Sequence, residues 1–302
     1  MDFANILKRS WEITKKYRFI WWLGLLAIAA EGSGFSGFPD FSAIENSKTL
    51  TSPVSDSIEN ISVPNDPSFY IGIALAGLIF LTILLAIIYI SNSASAGLIS
   101  SIENIEHDKT TSFSKAFHEG KKFFWRIFGL KILLALITII IALVLISPIA
   151  VAVVSPSLPT IILAVFVAII AVVTIIPVSL YIHILRIITS RVIVIENLAV
   201  MNAIGKAQTM ISKNLGNLFI SWLISVVVNL LVGLVMLLAI LLASGIILVF
   251  GLLFYGLFRE LGAIVYGCFA ITAVILACLF LSGIVTSFIS TYWTLVFNKL
   301  KE

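Results

Sequence analysis

Residues 132–185 read ILLALITIIIALVLISPIAVAVVSPSLPTIILAVFVAIIAVVTIIPVSLYIHIL, fifty-four positions without one Asp, Glu, Lys or Arg. A helical crossing of a bilayer needs about 20 apolar residues, so this run is too long for one and long enough for two. The break is written into it. Ser155, Pro156, Ser157 and Pro159 cluster at the middle, and proline lacks the N–H that a continuing helix would donate. Two spans are therefore expected, at 132–154 and 159–185.

The rest of the chain follows the same pattern. Charge-free runs cover 19–30, 67–102, 214–258 and 261–298, and 60% of all residues are hydrophobic against 11% charged. With a mean hydropathy of +1.15, a water-soluble globule is excluded. The expected architecture is an all-α integral membrane protein of about six transmembrane helices, a single polytopic domain over 1–302.

Charge placement orients it. Seventeen of the nineteen Lys and Arg fall before Phe19, between Lys109 and Lys131, between Arg186 and Lys213, or at the C-terminus. Short loops rich in Lys and Arg stay in the cytoplasm. The loop 31–66 carries Glu31, Asp40, Glu45, Asp56, Glu59 and Asp66 against Lys48, so it reads as external and both termini as cytoplasmic. The basic start, the apolar run 19–30 and Ala27-Ile28-Ala29 also fit a cleavable secretory signal. Recurrence of the basic segment downstream, where no signal can act, favours a retained first crossing that extends through Trp21 and Trp22 into 32–38.

That recurrence is a repeat. Lys8, Lys15 and Trp21 have the spacing of Lys115, Lys122 and Phe128 and of Lys206, Lys213 and Phe219, and Ile-Glu-Asn precedes the last two at 102–104 and 195–197. Three units follow, about 1–102, 103–190 and 191–302, each an amphipathic helix leading into a hydrophobic hairpin. In the middle copy Phe113, Ala116, Phe117, Gly120, Phe123, Phe124, Ile127 and Phe128 recur at helical spacing, with Lys115, Glu119, Lys121, Lys122 and Arg126 mostly off that face. Such a helix either lies among lipid headgroups or packs on the bundle's inner face. In the third unit, 214–243 crosses and 263–297 returns. Between them 244–262, holding Gly245, Gly251, Gly256 and Gly262, reads as a re-entrant segment with Arg259 and Glu260 at the outer surface; two further short crossings are the alternative.

Chemistry is sparse. There is no phosphate-cradling loop and no Gly-x-Ser-x-Gly elbow, His107, His118 and His183 lack metal-ligand spacing, and the spans hold no acid pair. No catalytic, cofactor-binding or metal-binding residue is assigned, and no cofactor is expected. Cys268 and Cys278, about 15 Å apart along one helix, cannot pair with each other. Lys131, Arg186, Arg259 and Glu260 fall near span ends, where long side chains reach water. Asn92, Thr138, Thr174, Asn229 and Thr272 lie within spans and are expected to bridge helices or bond to local backbone. Lys15, Lys16, Lys121 and Lys122, beside aromatics at the cytoplasmic interface, are the lipid-headgroup candidates.

The segments 191–198 (RVIVIENL), 203–207 (AIGKA) and 214–219 (NLGNLF) resemble the membrane domain associated with glycerophosphoryl diester phosphodiesterases and related prokaryotic six-helix membrane proteins. The resemblance implies a polytopic bundle of helix pairs. It does not imply phosphodiester hydrolysis, because in those proteins the hydrolytic site belongs to a separate soluble barrel, which these 302 residues do not hold. The functional expectation is a non-enzymatic multi-pass protein of the cell envelope that binds lipid, anionic by the sign of its partners, or a membrane protein. A transporter or channel for a small or amphipathic molecule is the alternative, and nucleic acid is not an expected partner.

Overall fold

The computed structural model describes residues 1–31, 67–154 and 158–301. The protein is an all-α membrane protein, without a strand among the described residues. Its helices are α1 (Phe3–Lys16), α2 (Phe19–Glu31), α3 (Pro67–Glu106), α4 (Phe113–Lys122), α5 (Phe124–Val154), α6 (Leu158–Glu196), α7 (Val200–Lys213) and α8 (Leu215–Lys301). Five stretches are long and apolar enough to cross a membrane: Tyr70–Glu106, Phe124–Leu145, Val165–Glu196, Leu215–Gly256 and Val265–Lys301. The apolar part of α2, Phe19–Ile28, is shorter than a crossing. Apart from Glu31, the loop 31–66 expected to be external lies outside the described residues, as does the extension of the first crossing into 32–38.

Each lysine-bearing segment forms a short helix that stops just before an apolar one. Backbone N–H groups of Tyr17, Phe123 and Asn214 close these helices on the carbonyls of Ile13, Gly120 and Ile211, and the next helix starts within two residues. The break in 132–185 also falls as expected, with α5 ending at Val154 and α6 starting at Leu158. The inner span ends do not. In the second hairpin α5 begins at Phe124 and α6 ends at Glu196, beyond both 132 and 185, because hydropathy marks where lipid contact ends and not where the helix ends.

Helical backbone runs continuously over Leu215–Lys301, yet the rings of Phe254 and Tyr266 stack at 4.9 Å. Twelve residues of straight helix would separate them by about 18 Å, so α8 folds back on itself between those rings into two arms. The expected re-entrant unit over 244–262 is thereby corrected. Residues up to Gly256 prolong the first arm.

The packed core lies at one end. Ala94, Leu98, Ile99 and Ile102 of α3, Ile188, Val192 and Ile193 of α6, and Trp293, Val296 and Phe297 of α8 are buried together with Ile20 and Leu23 of α2 and Ala203, Ala207 and Ile211 of α7. Toward the other end most side chains face outward. Side chains of α3 from Tyr70 to Ile90 are exposed on nearly every face, as are most of those over 226–256. Apolar surface on that scale is stable only in lipid.

Helix α4, the middle amphipathic segment, packs one face on the protein and leaves its lysines exposed on the other. Ala116 and Gly120 are buried, and a Cβ at Gly97 of α3 would run into the backbone carbonyl of Ala116. The small residues take the closest approach, Phe117 packs beside them, and Phe113 remains exposed. Ser100 donates to Glu119 Oε2 at 2.5 Å and Asn104 Nδ2 to the same oxygen at 3.3 Å, fixing the register.

Candidate functional site

The basic end is built from the short helices. Asp2 caps α1 by accepting from the Asn5 N–H at 3.2 Å, and Ile6, Ser10, Ile13 and Thr14 turn inward, which leaves Lys15 and Lys16 outward in its last turn. In α4 the same logic leaves Lys121 and Lys122 outward. Cations at a helix C-terminus meet the negative end of its dipole. All four lysines are exposed. The Lys16 ammonium stands 5.4 Å from the Tyr17 ring centre and that of Lys121 5.0 Å from the Phe117 ring. The two pairs sit on different supports: α1 packs on α8, with Trp11 edge-on to Phe288 at 6.2 Å, whereas α4 packs on α3. Of the interfacial tryptophans, Trp22 and Trp125 are exposed. Trp21 instead donates to the Thr14 carbonyl at 2.8 Å, capping α1.

The two Ile-Glu-Asn copies converge on the end of α8. Glu103 accepts from Asn298 Nδ2 at 2.7 Å and lies 3.1 Å from His107. Glu196 pairs with Lys206 at 2.6 Å and Lys301 at 3.3 Å. A residue in the left-handed region stands at each, Asp108 (φ 54°) four residues past the first copy and Asn197 (φ 56°) as the last residue of the second, where the chain turns toward α4 or α7. Arg126 Nη1 donates to the Asn197 carbonyl at 3.2 Å and its side-chain oxygen at 2.5 Å. A cavity of about 590 Å³ opens between the ends of α1, α3 and α8. Its walls are held by their own pairs, Arg9 with Glu106 at 3.5 Å and Glu103 with Asn298, so its charges serve to join three helix ends.

Deeper, most polar side chains bond to their own helix. Thr138, Thr174, Asn229 and Thr272 donate to the carbonyls of Leu134, Ile170, Ser225 and Cys268, as expected for hydroxyls and amides in lipid. Asn92 bridges helices: its Nδ2 donates to Ile88 O, and its Oδ1 accepts from Lys131 Nζ, both at 2.8 Å. Lys131 was expected to reach water at a span end; α5 instead starts seven residues earlier, at Phe124, which carries the ammonium into the helix packing.

Sequence reasoning missed Arg191, which reads as part of a basic loop. It is 3% exposed, with Nη1 donating to Ile187 O at 2.9 Å and Nη2 to Ser290 O at 3.2 Å. The run Thr189-Ser190-Arg191 is polar, and only its cover by α8 makes it interior. His183 faces Arg186 at 3.5 Å. Cys268 and Cys278 are both free thiols on the returning arm of α8. Among the described residues no three His, Cys, Asp or Glu side chains are placed to hold a metal ion.

The family comparison spans this whole architecture. The model of the family described as "Family of unknown function (DUF7544)" matches residues 7–302, and the chain belongs to that family. No curated protein and no solved structure matches it.

Proposed function

We propose that this DUF7544 protein is a non-enzymatic multi-pass component of the cell membrane that holds anionic lipid at its cytoplasmic face through Lys15, Lys16, Lys121 and Lys122. One observation carries the reading. Both exposed lysine pairs end a short helix immediately before an apolar one, which sets the ammonium groups at headgroup height. Each lysine there is worth about 1 kcal/mol toward an anionic leaflet. The attraction is screened by salt because the groups face water.

The test is a count of co-purified lipid. Native protein in mild detergent is expected to carry anionic lipid that a high-salt wash removes, and the variant with all four lysines changed to Gln to lose most of that salt-sensitive fraction. An unchanged salt-sensitive fraction would refute the assignment.

The same charge bias supports cytoplasmic termini, with the turn of α8 outside. In a chain whose Cys268 and Cys278 are replaced by Ser, Arg259→Cys is expected to react with an impermeant maleimide added to intact cells. Complete protection would reverse or rearrange the layout.

A second reading, passage of a small or amphipathic molecule between the helix pairs, draws on the polar side chains Asn92 and Asn229 within the apolar spans. Its sign would be solute flux from liposomes that bulky residues at Asn92 or Asn229 abolish. The burial of Asn92 against Lys131 favours binding over passage.

A further inference from the structure

The four surface lysines meet lipid from the water side, but the contact between α3 and α5 offers a different kind of seat. Residues 124–195 contain Arg126, Lys131, Arg186 and Arg191 and not one Asp or Glu, so the hairpin that crosses the membrane here is cationic throughout its inner portion. Lys131 lies seven residues into α5, about 10 Å along the axis. An ionisable group at such depth marks function or lipid contact more often than a surface one.

Its surroundings fit a lipid head. Asn92, 4% exposed, is fixed by its own bond to Ile88 O and presents Oδ1 to the Lys131 ammonium. The amide oxygen orients the ammonium. Nearer the start of α5, Tyr89 and Phe124 pack ring to ring at 4.7 Å and Phe124 stacks on Phe128 at 5.6 Å, an aromatic shelf of the kind found where acyl chain gives way to headgroup. Past Lys131 along α5, Ile132 and Leu136 are more than half exposed, as is Leu85 of α3, which leaves apolar wall for acyl chains next to the cation.

We propose that the face where α3 meets α5 seats one anionic phospholipid, its phosphate on Lys131 and its chains along the exposed apolar residues of the two helices. This deepens the lipid-binding reading while resting on separate residues. The seated lipid is shielded from solvent ions, so it is distinguished from lipid at the four surface lysines by resisting the salt wash.

The experiment counts phosphatidylglycerol per chain by native mass spectrometry after the purified protein is exchanged into detergent with mixed phosphatidylglycerol and phosphatidylcholine and washed in high salt. Native protein is expected to retain about one phosphatidylglycerol. Lys131→Gln is expected to lower its retention about five-fold, the equivalent of one lysine contact, and Lys131→Arg to restore it. The variant lacking the four surface lysines should keep it. Retention by Lys131→Gln equal to native would overturn the seat and leave the surface site standing. If Lys131→Gln does not fold, Asn92→Leu with Lys131 intact replaces it: retention should fall because the ammonium loses its orienting acceptor, and unchanged retention would likewise overturn the proposal. Equal retention of phosphatidylcholine and phosphatidylglycerol by the native protein would show an annular lipid only and also overturn it.

Discussion

Gly120→Leu is expected to separate α4 from α3 and to destabilise the protein by about 3 kcal/mol or more, the upper range for forced overpacking. A Cβ at this position would overlap the Ser93 carbonyl and stand 2.6 Å from the Gly97 nitrogen and 3.0 Å from its Cα. All three obstacles are backbone inside a helix, which cannot rotate away as a side chain can. Displacement of α4 would also break the bonds of Glu119 to Ser100 and Asn104. The check is the temperature at which detergent-solubilised protein loses its monomer peak. Gly129→Leu serves as the control, because nothing lies within 4 Å of a Cβ there. Equal midpoints for the two variants would refute the close approach of α4 and α3.

The second large effect concerns Arg191. Its guanidinium bonds to two main-chain carbonyls, Ile187 O and Ser290 O, at a site 3% exposed. Arg191→Glu would aim a carboxylate at two carbonyl oxygens with no water to separate them, and a buried charge left uncompensated costs about 3–5 kcal/mol. Arg191→Met keeps the apolar stem. Because both carbonyls lie within continuous helix and retain their backbone bonds, this change is expected to cost less than about 1.5 kcal/mol. A Glu variant with the thermal midpoint of the Met variant would show that the position is wet. The pair therefore measures whether α6 and α8 close over the arginine in the membrane.

Hydropathy read well wherever lipid is the neighbour. The double crossing in 132–185 is legible because Ser155-Pro156-Ser157-Leu158-Pro159 interrupts an otherwise unbroken apolar run, and the inner short helices are legible because lysines recur at one spacing. The reading failed where protein replaces lipid. Arg191 and Lys131 look like interface charges by their place at or beyond the ends of the apolar runs, but α6 continues to Glu196 and α5 begins at Phe124, so Arg191 is buried and Lys131 part-buried against a neighbouring helix. The re-entrant expectation failed for a related reason. Glycines mark permission to bend, and whether the chain bends at them depends on what packs beside it.

The sequence by itself determined the all-helical membrane class and the central break, because each follows from transfer between water and lipid, a property of local composition. The tertiary structure decided which small residues are contacts and which are lipid-facing. Gly120 and Gly97 meet backbone to backbone, while Gly72 and Gly77, equally small, have nothing within 4 Å of a Cβ. It also decided which cations are surface groups and which are interior. Those distinctions depend on a neighbouring helix distant in the chain, and no property of a single segment records where that neighbour lies.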